Sequence, residues 1–355
     1  MKKSGCLTQK VLKTCLTACL FLGPAASAHA IGAEDLLAKY HPVDIDNHWA
    51  TEKLYDAVYA DVVSGYAEAD GSVKVKPNNS ITRAEFVTLL VKSLGLKSDQ
   101  AGKRFEDVPA GSWYAEYVRI ASSLGIVSGV SDTRFEPNRL IQRDEMATLL
   151  VKAFSASVSF NGQPKPFTDV PDYWAKPYIE KASTGVVSGY PDGQFKPFAP
   201  ATRAEAVAML KNGLNMEKNA APDDQVLTNV VLGFEQASLS TFQKKEYNRL
   251  DELNANYNTG FYHARVALGN KDIQSLVSEG YTVEATLKGQ LSAHVLNKTN
   301  RFAAVELTGA IYQVTVTKGA ESVTITKDSS GTVFLKKMPD EGTWKMYNVE
   351  HTNPQ

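Results

Sequence analysis

The chain has 355 residues, of which 38 are basic and 39 acidic, so its net charge is near −1. That balance lacks the excess of positive charge typical of nucleic-acid-binding proteins. The length predicts two or more domains. All three cysteines, Cys6, Cys15 and Cys19, precede residue 20, so the rest of the chain can form neither a disulfide nor a thiolate metal site.

The N-terminus has the pattern of a secretory signal peptide. A leader with four lysines precedes an apolar stretch over 14–24 and the small-x-small cleavage signal Ala28-His29-Ala30. We therefore expect residues 1–30 to be removed on secretion, which leaves 34 basic and 39 acidic residues and a net charge near −5. Two alternatives stay open: a membrane anchor, for which the apolar stretch is short, and lipidation at Cys19. No later apolar run is long enough to span a membrane.

One pattern occurs three times, at a period of about 60 residues. Its last part is Ile81-Thr82-Arg83-Ala84-Glu85, then Ile141-Gln142-Arg143-Asp144-Glu145, then Ala201-Thr202-Arg203-Ala204-Glu205. Each copy follows a Val-Ser-Gly turn, and further upstream stand an aspartate and a tryptophan. Such a period indicates one supersecondary unit used three times, and we place the repeats at about 40–95, 103–155 and 165–215 within residues 31–215.

Each repeat predicts two helices joined by a turn. In the third repeat a helical pattern over 174–187 ends at a Gly turn, and Thr202 begins a second helix. Thr202 and Glu205 have the spacing of a capping box, in which each side chain bonds a backbone N–H near the other residue. Repeat two has Gln142 at the cap position, which is a weaker choice.

An arginine occupies the first position of each second helix, where a capping box needs no cation. A cation beside unpaired helical N–H groups can bind an anion, and Arg matches a carboxylate with two parallel hydrogen bonds. The alternative is a structural salt bridge to the upstream aspartate of the repeat. The tryptophans also have two interpretations: they anchor the core, or they stand at a groove mouth and stack on a sugar ring.

These ordered signatures resemble the S-layer homology repeat over roughly residues 40–215. The resemblance implies a three-sided helical prism in which each repeat contributes one helix to a central bundle. It also implies grooves between repeats that bind a secondary cell-wall polysaccharide, often one bearing a pyruvate ketal with its carboxylate. The ligand contacts that the resemblance implies are Arg83, Arg143, Arg203, Trp49, Trp113, Trp174, Gly65, Gly129, Gly189, Asp44, Asp107 and Asp169. Because repeat two has Val130 where the others have tyrosine, its groove is expected to bind weakly or not at all.

The rest of the chain predicts a linker over 216–225 and an α+β domain over 226–355. A helical pattern with one interruption begins near 230, and a second helical stretch over 261–277 breaks at Gly269-Asn270. Four or five antiparallel strands follow, one of them over 302–317 with a bulge near 311–312 and with hairpin turns at 318–320, 328–331 and 340–342. The element order resembles the nuclear-transport-factor-2-like fold. The fold class is therefore α+β.

The resemblance makes a secreted, non-covalent wall-binding protein the leading hypothesis, with a displayed C-terminal domain and neither enzymatic activity nor a cofactor. The first alternative is a wall-tethered enzyme with its active site in the C-terminal domain. The second is a structural S-layer subunit. Three histidines of the C-terminal domain, His263, His294 and His351, lack the spacing of a metal or catalytic site. The wall polymer, the groove that binds it, the role of the C-terminal domain and the oligomeric state are left open.

Overall fold

The computed structural model describes residues 34–352, so the predicted signal peptide lies outside the described residues. The described residues form two compact units. The repeat unit comprises 41–221 with 339–341, and the C-terminal unit comprises 34–40, 222–338 and 342–352. The short helix α1 (Glu34–Ala38) belongs to the C-terminal unit. Among the described helices, none has the length and apolar character that a membrane crossing requires.

Each repeat contains two helices, as predicted. Repeat one consists of α2 (Thr51–Tyr59), a small hairpin of β1 (Tyr66–Ala67) and β2 (Val73–Lys74), and α3 (Arg83–Ser93). The other two consist of α4 (Ala115–Ser123) with α5 (Arg143–Phe154), and α6 (Lys176–Ala182) with α7 (Arg203–Met216). The second helix of each repeat packs on the first helix of the next: α3 on α4, α5 on α6, and α7 on α2. The three repeats therefore close into a ring.

The second helices form the interior of this ring. In α3, apolar residues are buried on several sides, including Phe86, Val87, Leu90 and Val91. A helix that is apolar around most of its circumference is surrounded by protein, whereas a surface helix is apolar along one stripe. Helices α5 and α7 have the same burial. The central bundle implied by the resemblance is thus one helix from each repeat.

A cyclic set of backbone hydrogen bonds joins the three repeats. The N–H of Ile81 donates to the carbonyl of Ala201 at 3.0 Å, that of Ala201 to Ile141 at 2.9 Å, and that of Ile141 to Ile81 at 3.0 Å. Each of these residues immediately precedes a helix cap. Any one repeat therefore lacks partners for these groups unless both other repeats are present.

The C-terminal unit continues with α8 (Asp224–Lys244), a 3-10 turn (Tyr247–Arg249), α9 (Leu250–Tyr257) and α10 (Gly260–Ser278). Seven strands follow: β3 (Thr282–Leu287), β4 (Ser292–Lys298), β5 (Phe302–Thr308), β6 (Ile311–Lys318), β7 (Glu321–Asp328), β8 (Gly331–Lys337) and β9 (Trp344–His351). They form two antiparallel sheets, with strand orders β3-β6-β7 and β4-β5-β8-β9. Helix α8 packs on strands of both sheets, which confirms the α+β class.

Two predictions for the C-terminal unit were wrong in detail. Seven strands replace the expected four or five, because the stretch over 302–317 is two strands in different sheets and β4 was not predicted. The chain changes sheet at Gly309, whose φ is 68° and where an added Cβ would meet the carbonyl oxygen of Gln290 at 1.9 Å. The apparent bulge in the alternation is this change of sheet. Residues 328–331 likewise carry the chain from β7 to β8 in the other sheet, and do not form a hairpin.

The predicted helix break at Gly269-Asn270 is also wrong. Helix α10 runs through it, because both residues are buried and Asn270 Nδ2 donates to Asp251 Oδ1 of α9 at 2.8 Å.

Candidate functional site

The three arginines begin helices α3, α5 and α7, but their side chains reach into a neighbouring repeat. Arg83 Nε donates to the carbonyl oxygen of Phe135, and its Nη1 donates to Glu145 Oε1, both at 3.0 Å. Arg143 makes the same two bonds one repeat further on, to Phe195 and Glu205. These two side chains are almost wholly buried. Their first role in the fold is to join repeats.

Arg203 completes the cycle with a more open arrangement. Its Nε donates to the Val75 carbonyl at 2.8 Å, and its Nη1 donates to the Tyr66 hydroxyl at 2.9 Å. The Glu85 carboxylate lies 4.0 Å from Nη1, against 3.0 Å for the Arg83–Glu145 pair. Arg203 is only partly buried. Of the three guanidinium groups, it is therefore the one best placed to reach a ligand.

The expected anion site at the helix N-terminus is wrong, because the N–H groups there already have partners. The backbone N–H of Arg83 donates to the Arg139 carbonyl at 2.9 Å, and that of Ala84 donates to the Pro137 carbonyl at 3.0 Å. Helices α5 and α7 are satisfied in the same way by the next repeat in the ring. The alternative salt bridge to an upstream aspartate is also wrong for these arginines. Their acidic partners are the capping-box glutamates of the neighbouring repeat.

Arginine takes the place of the missing tyrosine in repeat two. Glu205 accepts a bond from Tyr190, and Glu85 accepts one from Tyr66, whereas repeat two has Val130 at this position. Glu145 instead binds Arg139, whose Nη2 and Nη1 donate to the two carboxylate oxygens at 2.6 and 3.1 Å. Burial would raise the pKa of Glu145, but the bonds from Arg139 and the charge of Arg83 lower it.

Each aspartate of the motif holds a strained turn. Asp107 accepts from the backbone N–H groups of Phe135 and Glu136 at 2.9 and 2.8 Å. Glu136 has a φ of 60°, which is unfavourable for a residue with a Cβ. Asp44 and Asp169 bind the equivalent pairs, and the second residue of each pair also has a positive φ. The aspartates thus fix these turns, and one of the residues so held, Glu136, lines a groove described below, while contact with sugar hydroxyls stays a prediction.

The turn glycines are required by packing. Gly129 and Gly189 have φ values of 88° and 70°, and an added Cβ would meet the rings of Phe105 and Phe167 at 2.6 and 2.4 Å. Gly65 has no positive φ, but its Cβ would meet Val73 at 2.4 Å. Their close approach to a ligand stays a prediction.

The motif tryptophans stand at the surface. Trp49, Trp113 and Trp174 are 66%, 60% and 60% exposed. The alternative that they anchor the core is therefore wrong. Large exposed aromatic rings at equivalent positions of a repeat are available for stacking on a partner.

Two grooves bring six of the twelve predicted residues together, whereas the other six, Trp49, Gly189, Arg143, Asp44, Asp107 and Asp169, line neither groove. Groove 1, of about 380 Å³, is lined by α3, by the turn at 63–66, by Trp113 and by Arg203. Groove 2, of about 620 Å³, is lined by α5, by the turn at 127–130, by Trp174 and by Arg83. Each groove thus takes one part of its wall from each of the three repeats.

The lysine in each groove was not predicted from the sequence. Lys92 of α3 and Lys152 of α5 stand nine residues after the arginine of their helix, and each lines its groove. The ammonium of Lys92 lies 5.1 Å from the ring centre of Tyr117, and that of Lys152 lies 5.8 Å from that of Tyr178. Within residues 34–352, neither lysine has a carboxylate at ion-pairing distance. The third helix has Asn212 at this position. The repeated position was the available signal, but it lies outside the recognised motif.

Comparison with known proteins identifies the repeats. The S-layer homology domain matches residues 43–87, 104–147 and 166–207. The chain therefore carries three S-layer homology domains. These segments include the first helix of each repeat and the start of the second.

Curated relatives are mostly much longer than this chain. The cellulosome-anchoring protein of Acetivibrio thermocellus is 33% identical over 147 residues, which are 39% of this chain and 33% of the relative. The S-layer protein sap of Bacillus anthracis is 29% identical over 207 residues, 57% of this chain and 24% of the relative. Exoglucanase XynX of Acetivibrio thermocellus is 30% identical over 182 residues, 50% of this chain and 16% of the relative. The domains and these relatives define a secreted protein of the bacterial cell surface and cell wall.

Proposed function

We propose that the three S-layer homology domains anchor this protein to the cell wall by binding an acidic secondary polysaccharide in grooves 1 and 2. The observation that carries the proposal is a shared pairing in the two grooves. Each one sets an exposed tryptophan of one repeat beside an unpaired lysine of another. A tryptophan face suits the apolar face of a sugar ring, and a lysine ammonium suits a carboxylate such as that of a pyruvate ketal.

An unsatisfied hydroxyl in groove 1 supports binding there. Thr88 lines the groove, and its Oγ1 is buried and has no hydrogen-bond partner within residues 34–352. Its counterpart Thr148 in groove 2 donates to the Asp144 carbonyl at 2.9 Å. A buried polar group without a partner is costly, and a sugar hydroxyl would remove that cost. Groove 1 therefore offers a cation and a stacking face to one ligand, beside this buried threonine hydroxyl.

The arginines take different parts in this proposal. Arg203 lines groove 1 from a partly exposed position and would share the ligand carboxylate with Lys92. Arg83 is fixed by Glu145 and lines groove 2, so it holds that groove in shape, whereas Arg143 is fixed by Glu205 and lines neither groove. The ligand contacts in groove 2 would then come from Lys152 and Trp174, so this proposal replaces the expectation that the groove with Val130 binds weakly or not at all.

We further propose that the C-terminal unit is a displayed domain of the nuclear-transport-factor-2-like fold without catalytic activity. Three helices preceding two antiparallel sheets favour that fold. The carboxyl of Glu235, which binds the Tyr312 hydroxyl at 2.6 Å, lies inside the hydrophobic core, where a substrate from solvent would not reach it. The alternative of a wall-tethered enzyme predicts turnover of a cell-wall or glycan substrate by the intact chain.

The test is sedimentation of the full chain with purified cell-wall sacculi, before and after removal of the non-peptidoglycan polysaccharide. We expect binding only before removal. Lys92→Met with Lys152→Met should abolish it, while Lys218→Met, which changes an exposed lysine outside both grooves, should bind like wild type. Equal binding to stripped sacculi, or full binding by the double variant, would refute the proposal.

A further inference from the structure

Groove 2 has an aromatic wall that groove 1 lacks. Beside Trp174, the ring centre of Tyr173 lies 5.8 Å from that of Trp174 and 5.4 Å from that of Phe198. All three residues line groove 2. Phe198 is 54% exposed, although a phenylalanine ring gains free energy when it leaves water. The three rings form a continuous face, which we call the aromatic wall.

The fold does not require this aromatic wall. The positions equivalent to Phe198 are Asn78 in repeat one and Asn138 in repeat two, and those equivalent to Tyr173 are His48 and Ser112. In repeat one, His48 Nε2 and Asn78 Oδ1 lie 3.1 Å apart and make a polar contact there. Repeats with the same helices and turns thus have polar residues where repeat three has two rings.

A buried acid fixes the wall in place. The Tyr173 hydroxyl donates to Asp144 Oδ2 at 2.8 Å, and Asp144 is only 1% exposed. The equivalent positions in the other central helices are Ala84 and Ala204. Asp144, Tyr173 and Phe198 therefore all depart from the repeat pattern. They form a chain of contacts from the acid to the tyrosine and from the tyrosine to the phenylalanine. Asp144 orients Tyr173, and Tyr173 packs against the Phe198 ring.

We propose that groove 2 contains a second sugar subsite, in which Phe198 and Tyr173 bind the sugar next to the acidic unit held by Trp174 and Lys152. This inference rests on the proposed polysaccharide binding. It adds that groove 2 binds two neighbouring sugars of the polymer. Groove 2 is larger than groove 1, at about 620 against 380 Å³, and the additional residues Tyr173 and Phe198 are part of its lining. An exposed ring continuous with a sugar-binding tryptophan fits the apolar face of a neighbouring neutral sugar.

The test is calorimetric titration of the full chain carrying Lys92→Met, which disables groove 1. Two probes are used: the methyl glycoside of a pyruvylated hexose, and a trisaccharide in which that unit lies between two neutral hexoses. We expect the trisaccharide to bind more tightly. Phe198→Asn should weaken the trisaccharide about tenfold and leave the monosaccharide unchanged. Phe198→Tyr, which keeps a ring, should retain most of the affinity.

Three results separate the possible failures. If the trisaccharide binds no more tightly than the monosaccharide, or if Phe198→Asn leaves both affinities unchanged, the second subsite is absent. If Phe198→Asn weakens both probes equally, the residue supports the whole groove and the subsite is again refuted. If the chain without Lys92→Met binds neither probe, the proposed function itself fails. Asparagine is native at the two equivalent positions, and a melting curve of each variant checks that it folds.

Discussion

At the scale of single residues, the repeated arginines join neighbouring repeats, which is a structural role. Burial lowers the pKa of Arg83, and the charge of Glu145 opposes that shift. A buried guanidinium is tolerated only when its donors are used, and Arg83 uses Nε and Nη1 on two different groups of repeat two. The planar fork of arginine makes this pair of bonds possible, and a lysine ammonium cannot reproduce it.

Arg143→Lys should destabilise the repeat unit more than it weakens polymer binding. The variant loses the bond to the Phe195 carbonyl and the fixed geometry toward Glu205, at a cost of about 1–3 kcal/mol. Denaturant unfolding of the full chain measures the change, with Lys218→Met as the neutral comparison. A variant of wild-type stability that has lost wall binding would show instead that Arg143 contacts the ligand.

Asp107→Asn should loosen the groove wall. Burial would raise the pKa of Asp107, but the bonds from the backbone N–H groups of Phe135 and Glu136 lower it below its ordinary value of 3.8. A carboxyl with a lowered pKa stabilises the fold above its unfolded pKa, and that contribution is lost as the pH falls through the folded value. We expect the substitution to cost about 1–3 kcal/mol at neutral pH and to flatten the dependence on acid below pH 3.8.

That dependence is measured by thermal melting of wild type and variant at a series of acidic pH values. Asp132→Asn, a change at an exposed acid in the same repeat, is the matched control. An equal response to acid in wild type and Asp107→Asn would contradict the assigned role.

At the scale of helices, α5 replaces a missing cap with a residue of its own first turn. Glu85 N–H donates to Thr82 Oγ1 in α3, whereas Glu145 N–H of α5 donates to Asp144 Oδ1 at 2.7 Å. Glu145 still accepts from the N–H of Gln142 at 3.0 Å, so half of the capping box remains. Asp144 therefore compensates for Gln142, and it also orients Tyr173.

Because Asp144 caps α5 in place of Gln142, a substitution at position 142 should compensate for the loss of Asp144. Asp144→Ala should cost about 1 kcal/mol because the Glu145 N–H of α5 loses the Asp144 carboxylate. Adding Gln142→Thr should recover most of the loss, whereas Gln142→Thr alone should change stability by less than about 0.5 kcal/mol. A double-mutant cycle of unfolding free energies checks the coupling. Additive effects of the two changes would contradict it.

The sequence allowed prediction of the helices because their signals are local. Capping boxes and apolar spacing lie within a few residues, and the helix pairs of all three repeats were found this way. The partner of Arg83 lies 62 residues away, so no local pattern could reveal that its N–H groups and side chain are already bonded. The change of sheet at Gly309 was missed for a related reason, because alternating strands look alike whichever sheet they join.

The candidate site was predicted in part for the same reason. The tryptophans, glycines and aspartates belong to a motif that repeats in order, and the structure places Trp113, Trp174, Gly65 and Gly129 in the lining of the two grooves. Lys92 and Lys152 lie nine residues after the arginine that begins their helix, so they fall outside that motif. Their relation to Trp113 and Trp174 arises only when each repeat packs on the next one along the chain.

At the scale of the whole molecule, the C-terminal unit contains a proton-linked core. Glu235 lies among apolar residues of α8, α10 and β6. Its carboxylate accepts a hydrogen bond from the Tyr312 hydroxyl at 2.6 Å. Burial raises the pKa of Glu235 to about 7, although the bond from Tyr312 opposes the shift. The folded unit thus holds more protons than the unfolded chain between pH 4.5 and 7.

The stability of this unit should therefore fall as the pH rises from 4.5 to 7, by about 3 kcal/mol in total, and then level off. Glu235→Gln should abolish this fall and be the more stable form at pH 8. Hydrogen exchange of α8 peptides in the full chain, corrected for the intrinsic effect of pH, measures both. Exchange in wild type that is as slow at pH 8 as at pH 5 would contradict the assignment.

Because each groove is built from three repeats, ligand binding in a groove should protect the protein from proteolysis. A polymer bound in groove 1 contacts parts of all three repeats, so opening any one of them releases it. Ligand at a hundred times its dissociation constant would then add about 2.7 kcal/mol to the free energy of opening. Proteases attack chains through such opened forms. Molecules shed from the wall should consequently be degraded faster than those attached, which would clear unattached copies from the medium without any dedicated recognition.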